Sequence, residues 1–293
     1  MEDAIEKYLE AGKVAKKAIE SGKKIIRPGE KIMDVVEKIE QVIISNGMDL
    51  AFPVNLSINE VAAHDTADIN DQREIPENAV IKIDVGVLNE GYIADTATTI
   101  DLSDQWKDLK KACEDALESA LKIAVPGTKI REISEAIEET ITSYGFKPVS
   151  NLTGHKMDRY LLHSDVMIPN VKCNIDYELQ EGDVFAIEPF ATNGFGKIFE
   201  AGKAKIYSLC KPAKVRDRYS KKIVELGAKR KGLPFSLRWI FESKSLALER
   251  SVMDLLNKGI LYDYRVLKEV NNGIVAQEEH SVIVKDKPII YTK

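Results

Sequence analysis

The sequence predicts an α+β protein built as two related halves around a mostly antiparallel sheet, with a helical segment inserted in the second half. Three observations predict it. Pairs of segments with apolar residues at helical spacing, each pair broken by Pro-Gly, occur twice. Setting Ile25–Met48 against Ile123–Phe146 at a fixed offset of 98 gives 11 identities in 24 positions. After each pair the chain reaches an apolar run that ends on an acid, Val80–Asp84 in the first half and Val184–Glu188 in the second. Two copies are too few for a solenoid, so one domain with internal symmetry is the simpler architecture.

The elements follow in order. Residues 3–26 and 31–45 read as helices around Arg27-Pro28-Gly29, and residues 106–124 and 129–144 repeat the pattern around Val125-Pro126-Gly127. Pro53-Val-Asn-Leu-Ser57 is echoed by Pro148-Val-Ser-Asn-Leu-Thr153. Val80–Val87 alternates apolar with small or polar residues, Asn89-Glu90-Gly91 signals a turn, and Tyr92–Ile100 is a second strand, so this region is a β-hairpin. Residues 206–265 have no counterpart in the first half and read as helices at 215–230 and 246–258, which divides the chain into a main domain, 1–205 with 266–293, and an inserted helical subdomain. The closing strands are Gly273–Val284 and Pro288–Tyr291.

Composition narrows the function. With 44% hydrophobic and 30% charged residues, the 293-residue chain can bury a full core. The start, Met1-Glu-Asp-Ala-Ile-Glu-Lys7, has no signal-peptide pattern and no apolar run reaches membrane-spanning length, so a cytoplasmic protein without a membrane partner is expected. Cys113, Cys173 and Cys210 are widely scattered and form no CxxC pair, so neither a disulfide framework nor a zinc-thiolate site is suggested. The net charge of −5 argues against a general nucleic-acid surface. The charge is uneven, however: residues 203–231 hold 11 Lys or Arg against Asp217 and Glu225. Such a run is usually a solvated helix face.

The chemistry concentrates in a few acids and histidines. If residues 88–91 form the hairpin loop, Val87 pairs with Tyr92 and Asp84 stands directly opposite Asp95. A like-charge pair across a ladder destabilises the sheet, and a cation is the natural compensation. His155 follows Gly154, Glu188 ends an apolar strand before Pro189, and Glu279 precedes His280 and the run Val282–Val284. One histidine with four carboxylates is a hard, oxygen-rich ligand set for two divalent ions such as Mn, Fe, Co or Zn.

Six ordered strings carry a resemblance over nearly the whole chain: Ala51-Phe-Pro-Val-Asn-Leu-Ser-Ile-Asn-Glu-Val-Ala-Ala-His64, Lys82-Ile-Asp-Val-Gly86, Ile93-Ala-Asp-Thr-Ala97, Asn151-Leu-Thr-Gly-His155, Phe185-Ala-Ile-Glu-Pro189 and Asn272-Gly-Ile-Val-Ala-Gln277. The chain resembles the type 2 methionine aminopeptidases, archaeal in style. That resemblance implies the pita-bread fold and the removal of initiator methionine from nascent polypeptides, with a small second residue preferred. It implies two divalent ions, Asp84 as a terminal ligand of one, Asp95 and Glu279 bridging both, and His155 and Glu188 completing the other. A hydroxide held between the ions would attack the methionine carbonyl with Glu188 as general base, His163 would stabilise the oxyanion, and His64 would contact the scissile amide or help protonate the leaving amine. Phe52, Pro53, Leu162, Phe190 and Tyr264 would wall the methionine slot. The family also implies a monomer, and the basic run at 203–231 suggests docking on the ribosome.

Three residues depart from the family pattern: Glu278 where phenylalanine is usual, Asp65 where tyrosine is common, and Arg265 where proline follows the pocket tyrosine. On a strand, residue 278 points away from the face of Glu279, so the first change touches packing rather than ligation. Two rivals remain. Proline-directed pita-bread peptidases carry an extra N-terminal domain and lack the insert, and inactive relatives that only bind ribosomes or RNA have lost ligands that are all present here.

Overall fold

The computed structural model describes residues 2–293. Helices α1 (Glu2–Ile25) and α2 (Ile32–Ser45) lead into β1 (Asp49–Leu50), β2 (Asn55–Ile58), β3 (Val61–Ala63), β4 (Val80–Asn89) and β5 (Tyr92–Asp101). Helices α3 (Lys107–Lys122) and α4 (Ile130–Ser143) lead into β6 (Lys147–Pro148), β7 (Thr153–Met157), β8 (Met167–Pro169), β9 (Val184–Ile187), β10 (Phe190–Thr192) and β11 (Ile198–Leu209). Then come α5 (Arg218–Lys229), β12 (Phe235–Ser236), a 3₁₀ turn at Leu237–Trp239, α6 (Leu246–Asn257), β13 (Leu261–Glu269), β14 (Val275–Gln277), β15 (His280–Ile283) and β16 (Ile289–Ile290).

Every strand pairing is antiparallel. In the first half β4 is flanked by β5 on one side and by β1 and β2 on the other; in the second, the order β16-β15-β9-β7-β8 carries the equivalent strands. The internal repeat is visible in backbone detail. Gly29 and Gly127 both have positive φ, 83° and 88°. Their amides bond to Ile75 O at 2.8 Å and Leu179 O at 2.9 Å, and Lys31 bridges Glu74 as Lys129 bridges Glu178.

Each helix pair buries one apolar stripe on its own half. Val35, Val36, Ile39 and Ile43 of α2 pack with Ile81, Ile83 and Val85 of β4, whereas Ile133, Ile137 and Ile141 of α4 pack with Phe185 and Ile187 of β9. At roughly 1.5–3 kcal/mol per fully buried large aliphatic side chain, these stripes supply the main drive for folding each half. Side chains then tie the halves together: Asp95 N donates to Ser281 Oγ at 2.9 Å, Ser281 Oγ to Asp95 O at 2.7 Å, and Glu279 N to Ala97 O at 3.0 Å. Between β11 and β13, α5, α6, β12 and the 3₁₀ turn close over Ile223, Phe235, Leu248, Leu255 and Ile260, joined by Ile69 of the first half.

Two sequence expectations are corrected. The hairpin loop has two residues rather than four, because Asn89 pairs with Tyr92 and only Glu90 and Gly91, at φ 50° and 102°, make the turn. Positive φ at both central residues matches the strand twist, and glycine takes the second position without a Cβ penalty. Asp84 therefore faces Ala97 while Asp95 faces Gly86, which makes the two aspartates diagonal neighbours on one face instead of an opposed pair. The expected strand Gly273–Val284 is split at Glu278-Glu279, where the chain leaves β10 and joins β9. No helix among the described residues is long and apolar enough to cross a membrane.

Candidate metal centre

Asp84 and Asp95 arrive on one face of the β4–β5 hairpin, His155 on β7, Glu188 just beyond β9, and Glu279 in the break before β15. These five side chains line one cavity of about 200 Å³ between the halves. Asp95, His155 and Glu279 are all buried and offer ligand atoms within 4.8 Å of one another. His155 Nε2 lies 3.6 Å from Asp95 Oδ2 and 3.7 Å from Glu188 Oε1.

The electrostatics are those of a site short of positive charge. Burial raises the proton affinity of Asp84, Asp95, Glu188 and Glu279, and for the last three repulsion from Asp84 and other neighbouring carboxylates raises it further. Burial, then the nearby His163, pulls His155 well below its ordinary value, so its imidazole is neutral and ready to ligate. Asp84 Oδ1, Asp95 Oδ1 and Glu279 Oε2 are buried with no hydrogen-bond partner among the described residues. Orphaned carboxylate oxygens turned toward a shared centre are costly unless a cation meets them, and oxygen with imidazole suits Mn, Fe, Co or Zn. The residues fit a metal.

The rest of the cavity divides into a polar mouth and an apolar slot. His64 sits at φ 62°, left-handed backbone that is strained for a non-glycine residue, and its Nδ1 lies 3.2 Å from Arg265 O. A carbonyl only accepts, so the proton is on Nδ1 and Nε2 faces outward as an acceptor. The next residue, Asp65, is buried and held by Arg73 at 2.7 Å and by Lys205, which anchors the strained segment. His163 stacks edge-on to His155 with ring centres 4.3 Å apart. Burial and then His64 push its pKa down to about 4. Phe52, Leu162, Phe190 and Tyr264 line the cavity as the sequence suggests, with Tyr264 edge-on to His64 at 5.6 Å. Pro53 does not: it is buried behind the wall, and its carbonyl accepts from Asn55 Nδ2 at 2.8 Å.

Sequence reasoning missed several cavity residues. Asn55 pairs with Asp84 across β2–β4, and Ile206 and Pro234 come from the far side of the fold. Gln277 was read only as part of a motif, yet its Nε2 donates to Glu188 Oε2 at 3.2 Å and fixes that carboxylate. Glu278 turns away from the cavity to Thr98 Oγ1 at 3.2 Å and Thr99 N at 3.0 Å, so its replacement of phenylalanine concerns packing, as expected.

A buried nest of carboxylates and one imidazole, set between two like halves beside an apolar slot, defines a metal-dependent hydrolase. The model for metallopeptidase family M24 matches residues 6–285. The methionine aminopeptidase of Archaeoglobus fulgidus is 45% identical over 288 residues, covering 98% of this chain and 97% of that one. The chain belongs to metallopeptidase family M24. Among solved structures, a thermophilic Arx1 superimposes with a TM-score of 0.84 at 20% identity, covering 99% of this chain and 90% of that one. The methionine aminopeptidase of Thermotoga maritima gives 0.73 at 22%, covering 100% and 98%. These two likenesses show the fold alone, which is the pita-bread fold.

Proposed function

We propose that this protein is a cytoplasmic, monomeric methionine aminopeptidase that removes the initiator methionine from nascent polypeptides and prefers a small second residue. The observation that carries the proposal is the Asp95–His155–Glu279 cluster, with Asp84 and Glu188 beside it, at the end of an apolar slot. The archaeal relatives bearing that name support it. All five ligand positions are filled, which disfavours an inactive binding module. The chain also covers nearly the full length of the archaeal methionine aminopeptidases it matches.

In this reading Asp84, Asp95, His155, Glu188 and Glu279 would hold the metal. Two divalent ions held there would supply Lewis acidity and a water of lowered pKa. Glu188 Oε1 takes the proton of the attacking water, because Oε2 is already held by Gln277. His163 donates an N–H to the oxygen that becomes negative as the carbonyl turns tetrahedral. His64 Nε2 accepts the scissile amide N–H, and the free α-amino group of the substrate is received beside Asp84. Phe52, Leu162, Phe190 and Tyr264 enclose the methionine side chain and exclude water. Residues 206–265 form the inserted subdomain that contributes Ile206, Pro234 and Tyr264 to the wall.

A Met-Gly-type peptide tests the reading. Chelation of the purified protein should stop release of methionine, and adding a divalent ion back should restore it. Release that persists after complete chelation, or cleavage of Xaa-Pro dipeptides in preference, would overturn the assignment.

We further propose that the basic run docks on ribosomal RNA near emerging N-termini. Lys211, Lys214, Arg216, Arg218, Lys221 and Lys222 are exposed, whereas Lys205 and Arg230 turn inward to bond within the protein. Phosphate contacts weaken steeply with salt. Changing Lys211, Lys214, Arg216 and Arg218 to Glu should weaken salt-sensitive cosedimentation with ribosomes and leave peptide hydrolysis intact. Equal binding by wild type and variant would leave the patch as a solubilising surface.

A further inference from the structure

The two walls of the apolar slot come from segments far apart in sequence. Phe52 belongs to the loop between β1 and β2, and Pro234 follows α5. Both line the cavity, yet no strand pairing joins them. Phe52 cannot retreat toward the sheet, because its ring already occupies the space over Gly86: a Cβ there would lie 2.3 Å from Phe52 Cε1. The width of the slot is therefore set on the other side.

Two charged side chains hold that side. Arg230 Nη2 donates to Ala51 O at 2.8 Å and to Pro234 O at 3.1 Å, so one guanidinium touches the chain next to Phe52 and Pro234 itself. Glu40 of α2 is buried and accepts Val54 N at 3.2 Å through Oε1, which also meets Arg238 Nη2. Its Oε2 accepts Trp239 Nε1 at 3.2 Å, and the Arg230 guanidinium lies 5.5 Å from the centre of the Trp239 ring. Residues 51–54 are thus gripped at Ala51 and at Val54 by groups bound to residues 230–239. A planar guanidinium with several fixed donors can span two carbonyls; an ammonium is a point charge without that fork.

We propose that Arg230 and Glu40 form a latch that sets the distance between Phe52 and Pro234, and that Arg230 is a specificity-determining positioning residue for the first side chain of the substrate. The proposal rests on the aminopeptidase reading above. It assigns Arg230 no contact with the reacting atoms: removing it loosens the slot and leaves the carboxylates and imidazole in place.

The test compares the metal-loaded wild type with Arg230→Met, Arg230→Lys and Glu40→Gln on peptides whose first residue is Met, Leu or Phe. A pocket set by packing alone discriminates side chains of similar size by about 10- to 200-fold, and that margin is what a loosened latch gives up. Arg230→Met should raise KM for the Met peptide about tenfold while kcat stays within about threefold, and the Met-over-Phe ratio of kcat/KM should fall about tenfold. Arg230→Lys and Glu40→Gln should shift the ratio the same way by less. The ratio of affinities is read without turnover from Trp239 fluorescence in a Trp106→Phe background titrated with free methionine and free phenylalanine, so an inactive wild type would sink the functional reading and still leave the latch measurable. If Arg230→Met fails to fold, the two milder variants decide. An unchanged Met-over-Phe ratio in a folded latch variant, or an equal loss of kcat for all three peptides, would overturn the proposal.

Discussion

Asp95→Ala is expected to abolish methionine release, with a fall in kcat/KM of at least about 10³-fold, and to lower metal content in the same preparation. The expected size follows from several kcal/mol of transition-state charge stabilisation at a metal centre, each 1.36 kcal/mol being tenfold. Asp95 is only 3% exposed, its Oδ1 has no partner, and its Oδ2 faces His155 Nε2 at 3.6 Å. Its backbone is locked by Ser281 from the other half, so no neighbouring carboxylate can move into its place without breaking the bonds that join the halves. Folding should survive. Burial, and then repulsion from Asp84 and Glu188, disfavours the charged form of Asp95, and removing one of four crowded carboxylates relieves both. The variant should therefore melt no lower than the metal-stripped wild type. Asp84→Ala, His155→Ala, Glu188→Ala and Glu279→Ala should lose activity in the same manner. Wild-type turnover by Asp95→Ala with wild-type metal content, measured by metal analysis beside the peptide assay, would remove Asp95 from the ligand set.

How much of this was legible in the sequence depends on whether the determinant is local. The repeat was legible because Pro-Gly and the helical spacing of Ile32, Val36, Ile39 and Ile43 are written into short stretches, and the structure returns them as matching glycine conformations and matching amide bonds. The hairpin was legible, but its register was not. Asn, Glu and Gly are all turn formers, and only the pairing of Asn89 with Tyr92 decides that Glu90 and Gly91 suffice for the loop. A slip of that kind changes which residues face each other: it turned an opposed pair of aspartates into diagonal neighbours. The face they share was unaffected, because a shift of two in the sum of paired positions preserves the alternation along each strand.

The cavity residues that escaped notice have a common cause. Asn55, Ile206 and Pro234 look like strand or loop residues in their own neighbourhoods, and they become walls only when β2, β11 and the segment after α5 converge. Arg230 sat inside a run of basic residues and was counted with a solvated face. The fold turns it inward to two carbonyls, which composition alone does not reveal. Gln277 was hidden in the same way: its role depends on Glu188, which is 89 residues distant. Pro53 shows the converse, since the family resemblance implied a wall and the structure buries it outside the cavity lining.

His163→Ala is expected to lower kcat about 10²- to 10³-fold with its metal content retained, the usual cost of losing one oxyanion donor. Three features of the geometry separate this histidine from His155. It lies in the segment between β7 and β8, outside the ladder that fixes His155. It is absent from the group of ligand atoms within 4.8 Å that Asp95, His155 and Glu279 form. Its ring is open to solvent at the cavity mouth, where an incoming carbonyl can meet it. The shift in its proton affinity is downward, from burial first and His64 second, so the ring is neutral at pH 7 and donates a single N–H. A neutral donor stabilises a developing oxyanion without titrating in the working range, so the variant's loss of kcat should be the same from pH 6.5 to pH 8. Free methionine should bind the variant as it binds the wild type, because the apolar slot and the carboxylates are untouched. Metal analysis by mass spectrometry alongside steady-state kinetics makes the distinction: a variant that loses an ion would make His163 a ligand, and a variant with wild-type kcat would remove it from the reaction.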